Sequence, residues 1–171
     1  DAGLARRDLA SIVYAQGPGA FPGLRIGLGV AQGLALAQNL PMTGIHCLEA
    51  VASLQPDSAC VLAATDARMG EVFYAWFNTQ THSRLSEDMV GKAADIQVLD
   101  GTAQPQGVGN AFDLYAEAMP FTGRITMPTA ADYLRLAMTG RYDACGAEAV
   151  HLRYVRNKVA LTAAEQAARH A

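Results

Sequence analysis

The side chains able to do chemistry in this chain are few and scattered. Four histidines, His46, His82, His151 and His170, show none of the close pairings that metal sites use, so each reads as a surface group or a hydrogen-bonded core residue. Cys47, Cys60 and Cys145 are odd in number, widely spaced and free of any Cys-x-x-Cys, which points to reduced thiols of a cytosolic protein. No Gly-x-Ser-x-Gly nucleophile elbow is present. Asp66, Arg68 and Glu71 form a compact cluster suited either to acid–base work or to ion pairing across a hairpin turn. Arg153, Arg156 and Lys158 form a basic run that suits nucleic-acid phosphates, a solvated face or internal ion pairs. Neither a catalytic set nor a metal site emerges from these residues.

The strongest local signal is structural. In Gly17-Pro18-Gly19-Ala20-Phe21-Pro22-Gly23-Leu24-Arg25-Ile26-Gly27, glycines at 17, 19 and 23 offer positive φ or close backbone approach, and Pro18 and Pro22 restrict φ. A rigid elbow is expected between a strand at Ser11–Ala15 and a helix at Leu24–Asn39, stopped by Pro41. The helix N-terminus has free amides for an anion. Yet Gly17-x-Gly19-x-x-x-Gly23 is one residue too long for the dinucleotide pattern, and the only lysines, Lys92 and Lys158, make no P-loop. A structural elbow is the better reading.

The helix behind it is unusual. Gly27, Gly29, Ala31, Gly33, Ala35 and Ala37 are small, and Ile26, Val30 and Leu34 form an apolar stripe at spacing four. Each interior glycine costs roughly 1 kcal/mol relative to alanine. That cost makes sense where another backbone packs close: the protein's own sheet, a helix of a partner protein, or both.

The rest of the chain must position these features. Its 171 residues fit one large or two small domains, 51% apolar and 17% charged, enough for a core and unlike a disordered chain. A net charge of −3 gives no general attraction to nucleic acid, and no apolar run is long enough to span a membrane. Alternating elements follow: a strand at Met42–His46, a helical connector at Leu48–Leu54, and a turn at Gln55–Ser58 that serves as a domain boundary, dividing 1–54 from 55–171. A buried strand at Ala59–Thr65 turns at Asp66–Gly70 and returns as Val72–Phe77. Further strands are expected near Asp88–Val90, Ile96–Leu99 and Val150–Val155, and helices at Asn110–Met119, Ala130–Thr139 (capped by Thr129, stopped by Gly140) and Thr162–His170. Mixed strands and helices imply an α/β domain.

Three segments together resemble one family. The elbow, continuing to Ala31-Gln32-Gly33-Leu34-Ala35, resembles the Gly-Pro-Gly-Ser-Phe-Thr-Gly-hydrophobic-Arg-Ile-Gly hallmark of the TsaB (YeaZ) family. Asp66-Ala67-Arg68-Met69-Gly70-Glu71-Val72-Phe73 is similar to its Asp-Ala-Arg-x-Gly-Glu-Val-aromatic hairpin. Tyr154-Val155-Arg156-Asn157 stands where the family has Pro-x-Tyr-x-Arg, with Leu152 in place of the proline. The motifs occur in the expected order and span nearly the whole chain. Ala20 and Pro22 replace the usual serine and threonine, removing two hydroxyls that could cap the helix or hold an anion.

The resemblance implies an actin-like, Hsp70-type ATPase (ASKHA) fold of two related lobes. It further implies that the first lobe lacks its leading unit, since family members open on a strand carrying Asp-Thr-Ser/Ala. The implied function is that of a non-catalytic partner of TsaD, the metal-bearing enzyme that forms threonylcarbamoyladenosine beside the anticodon of ANN-reading tRNAs. TsaE, an ATPase, joins the assembly, so ATP and Mg belong to the wider complex and no cofactor to this chain. The tRNA is then met only through the complex, and a homodimer is expected when TsaD is absent. Pairing through first-lobe helices makes Arg25, Gly29, Val30, Gly33, Leu34 and Ala37 the candidate interface. The motif residues Gly17, Pro18, Gly19, Phe21, Gly23, Asp66, Arg68, Gly70, Glu71, Tyr154 and Arg156 are then structural. Competing readings are a weak nucleotide-binding ATPase, an enzyme of the M22 peptidase group to which the family was once assigned, and a stand-alone tRNA-binding module.

Overall fold

A computed structural model of the protein describes residues 3, 5–101 and 104–155. Strand β1 (Ile12–Gly17) leads through the elbow into helix α1 (Phe21–Gln38). The helix starts three residues earlier than the glycines suggest. Pro22 sits in its first turn, where a missing N–H is harmless, and Gly23 is helical rather than part of the turn. Asn39 closes the helix in the left-handed conformation, its N–H donating to Ala35 O, and Pro41 lies just beyond. Strand β2 (Met42–His46) pairs parallel with β1, and helix α2 (Cys47–Ala52) follows directly.

A second sheet is built on the hairpin β3 (Val61–Arg68) and β4 (Glu71–Asn78). The short strands β5 (Ser83–Arg84) and β6 (Met89–Gly91) pair with β4, and β7 (Gln106–Val108) runs parallel to β3. Helix α3 (Ala111–Leu114) comes next, then α4 (Ala130–Ala137) and β8 (Ala144–Cys145). Both α4 and β8 return to the first sheet: β8 pairs antiparallel with β2, and α4 packs on β1 and β2 beside α2. Strands before Gln55–Ser58 belong to the first sheet and the described strands after it to the second, except β8, which returns to the first.

Alternation along the hairpin explains why it is apolar throughout. Leu62, Ala64, Val72, Tyr74 and Trp76 point to one face, where Phe112 and Ile96 cover them. Val61, Ala63, Phe73, Ala75 and Phe77 point to the other, against Leu48 and Val51 of α2. A sheet buried on both faces has no polar side to show.

Three expectations fail. Ile96–Leu99 is no strand: a 3-10 turn at Ala93–Asp95 drops Ile96 into the core beneath Trp76. The helix expected at Asn110–Met119 is α3 followed by a separate 3-10 turn at Ala116–Ala118, because Tyr115 leaves helical geometry. Val150–Val155 forms no strand; it is tied to β1 by Tyr14 Oη donating to His151 O at 3.3 Å and Arg153 N donating to Gln16 O at 2.7 Å. The helix expected at Thr162–His170 lies outside the described residues. Among the described residues no helix is long and apolar enough to cross a membrane.

Gly109 marks where β7 meets β3. Its φ is +128°, and an added Cβ would lie 2.0 Å from Ala64 O. Gly109→Ala therefore combines forbidden φ with a backbone clash, and is expected to cost about 3 kcal/mol or more of stability. Urea unfolding followed by Trp76 fluorescence would measure it, and a loss below about 1 kcal/mol would contradict the clash.

Candidate protein-binding face and the elbow cluster

The three resemblance motifs, far apart in sequence, meet at the elbow. Gly17 adopts φ +102°, and a Cβ there would stand 2.5 Å from Arg153 O, so glycine is required where the 151–155 segment crosses the end of β1. Gly19, by contrast, makes only ordinary contact with Leu24. The Phe21 ring lies 5.4 Å from the Tyr154 ring, centroid to centroid. Arg25 places its guanidinium 3.9 Å over the Phe21 ring and donates from Nε to Tyr154 Oη at 3.4 Å. Pro18, Phe21, Asp66, Arg68, Arg153 and Tyr154 line a cleft of about 180 Å³ between elbow and hairpin. Arg156 and Lys158 lie outside the described residues.

The hairpin cluster is an ion-paired turn. Arg68, Met69 and Gly70 all have positive φ, and the Asp66 carboxylate holds this tip by accepting the Arg68 N–H at 2.8 Å and pairing with the Arg68 guanidinium at 3.3 Å. Tyr115 Oη also donates to Asp66, at 2.8 Å, and Asn110 Oδ1 accepts the Asp66 N–H. The hydrogen bond to Asp66, aided by burial, pushes the Tyr115 phenol above its ordinary range. A carboxylate with its lone pairs so engaged anchors the turn. Sequence reading missed Asn110 and Tyr115; nothing local signals a partner 44 or 49 residues away.

The small-residue helix gives a sharper result. Leu24, Leu28, Ala31 and Ala35 form the side of α1 turned to the sheet, where Tyr14 and Met42 receive the alanines and Leu28. The stripe Ile26, Val30 and Leu34 is not on that side; these residues are 68%, 60% and 36% exposed. A Cβ built on Gly23, Gly27, Gly29 or Gly33 meets nothing within 4 Å, so packing on the protein's own sheet does not account for the glycines. Gly29, Val30, Gly33, Leu34 and Ala37 are all exposed on this helix. Arg25 is exposed too, but it belongs to the elbow through Phe21 and Tyr154.

A third arrangement joins the two sheets. His46, at the end of β2 and 5% exposed, accepts the Glu49 N–H at Nδ1, which leaves the ring proton on Nε2 to be donated to Asp88 at 2.7 Å. The other Asp88 oxygen takes a hydrogen bond from Arg84. Burial pushes the Asp88 carboxyl up, but His46 and Arg84 outweigh it and hold the group below the usual carboxylate range. Beside it, burial raises the Cys47 thiol, whose sulfur accepts the Gly17 N–H at 3.2 Å, so this cysteine is a poor nucleophile. Among the described residues no group of three His, Cys, Asp or Glu is placed to hold a metal ion.

Comparison with known proteins agrees with the motifs. The family model described as "TsaD: tRNA N6-adenosine threonylcarbamoyltransferase" matches residues 1–170. The chain is 35% identical to the tRNA threonylcarbamoyladenosine biosynthesis protein TsaB of Escherichia coli, over 92% of this chain and 75% of that protein. It is 30% identical to a tRNA N6-adenosine threonylcarbamoyltransferase of Methylobacillus flagellatus, over 84% of this chain but 38% of that one. Among solved structures, YeaZ from Pseudomonas aeruginosa matches with a TM-score of 0.78 and 32% identity, covering 90% of this chain and 76% of that chain. The α/β architecture is thus that of the actin-like ASKHA proteins, and the chain belongs to the TsaB (YeaZ) family.

Proposed function

We infer that this chain takes part in forming threonylcarbamoyladenosine beside the anticodon of ANN-decoding tRNAs, as the non-catalytic partner that holds TsaD in its competent conformation. Its relatives' names supply the pathway. The observation that carries the partner role is the outer face of α1, where Ile26 and Val30 stand in solvent beside glycines with open space around them. An apolar stripe flanked by missing side chains lets a second helix approach closely and bury both backbones. Dispersion and area burial grow with that closeness, offsetting the roughly 1 kcal/mol each glycine costs the free helix.

The same face serves self-association when TsaD is absent. TsaE and ATP with Mg act in the wider assembly, tRNA is met through it, and the setting is the cytoplasm. Size-exclusion light scattering of the chain with purified TsaD tests the role. A heterodimer is expected, and the chain alone should elute as a homodimer. Separate elution of the two proteins at tens of micromolar would overturn the reading.

A further inference from the structure

A second cleft, of about 280 Å³, opens on the side of α2 and α4 remote from the α1 face. Leu54, Phe77 and Leu136 give it an apolar lining, and Arg135 and Arg141 stand at its rim. The volume is near the lower end of small-molecule sites, and charged and hydroxyl side chains stand around the apolar wall.

The charges decide what would fit. Of the two acids in the lining, Asp132 is paired with a cation, whereas Glu49 is held by a neutral phenol and keeps its charge. Glu49 Oε1 accepts the Tyr142 phenol at 2.6 Å, and Asp132 accepts the Thr129 N–H and hydroxyl at 2.8 and 2.7 Å besides pairing with Arg135. Arg141 differs. Among the described residues its guanidinium meets no carboxylate, and its only hydrogen bond runs from Nε to Thr139 Oγ1 at 3.2 Å. The guanidinium lies 5.7 Å over the Tyr142 ring, and its terminal nitrogens keep their donors for the two-oxygen edge of a carboxylate or phosphate. We propose that this cleft binds a small organic anion, with its carboxylate or phosphate on Arg141 and a flat apolar body against Leu54, Phe77 and Leu136.

Titration of ¹⁵N-labelled chain with phenyl phosphate, phenol and inorganic phosphate tests this. Phenyl phosphate should shift the amides of Asn78, Thr79 and Thr139, and bind at least about tenfold more tightly than either half-molecule. Arg141→Gln should weaken it about tenfold while leaving the untitrated spectrum folded. Arg135→Gln, a change to a cation already paired with Asp132, should weaken it less. Equal affinity for inorganic phosphate, shifts elsewhere on the protein, or unchanged binding by Arg141→Gln would each overturn the proposal.

Discussion

Gly33→Trp is expected to abolish pairing with TsaD while leaving the chain as stable as before. The two halves of this expectation come from the same fact. A side chain at position 33 meets nothing within 4 Å in the protein itself, so the indole projects into solvent at no steric cost. Replacing an interior helical glycine even restores a few tenths of a kcal/mol of helix propensity. At the proposed interface, the same indole would force the two backbones apart, and whatever contacts exposed Ile26, Val30 and Leu34 make there would be lost together. The dissociation constant should rise by more than about a hundredfold, with thermal unfolding unchanged or slightly later when native and variant chains are compared at a concentration where both are monomeric. The same enlargement at exposed Glu117, outside this face, should leave the complex intact. A Gly33→Trp chain that still co-elutes with TsaD would remove α1 from the interface. Loss of the complex together with a midpoint lowered even where both chains are monomeric would point to misfolding instead, since losing the homodimer alone lowers the midpoint only at higher concentration, and Gly33→Ala would then show whether a single methyl already weakens pairing.

What could be read from the sequence was what is locally encoded. The Gly-Pro elbow, α1 with Pro41 behind it, β2 and the β3–β4 hairpin follow from turn residues and apolar pattern, and each lies within a few residues of its expected place. Thr129 caps α4 through a capping box with Asp132. The failures share a cause. Val150–Val155 has the composition of a strand, but a strand needs a partner, and this segment meets β1 through single bonds around Gln16. Ile96 reads as part of a strand because it is apolar, whereas its burial comes from a 3-10 turn aimed into the core. The site was half legible. Small residues on α1 read as a place for close approach of some other backbone, and only burial separates the sheet side, Ala31 and Ala35, from the open side, where no approaching group is seen among the described residues. Pairings across long separations, such as Arg25 with Tyr154 at 129 residues, leave no trace in one sequence.

The largest stability effect outside the glycines is expected at Asp88, the carboxylate that ties the first sheet to the second. Its side chain is 14% exposed and takes hydrogen bonds from His46 and Arg84, while Arg84 also lies 5.1 Å over the Phe77 ring. Asp88→Asn keeps the size but removes the charge, and the amide can present only one acceptor oxygen to two donors. Arg84, only a quarter exposed, is left without its carboxylate. The expected cost at neutral pH is about 2–3 kcal/mol, or a midpoint lower by about 5–10 °C. The sign of the pH dependence follows from the folded-state pKa lying below the unfolded one. Such a group contributes stability that is fully present above the unfolded value, about 3.9, and is lost as pH falls through the lower, folded value. The gap between the native chain and Asp88→Asn should therefore be full at pH 7 and shrink below about pH 4, where the native carboxylate takes up the proton that the amide mimics. Urea unfolding at pH 7 and pH 3 measures both ends. A gap that stays constant would mean that the cost comes from shape rather than charge, and the two sheets would then be held together by the packing of Leu48 and Val51 on Phe77 without help from this ion pair.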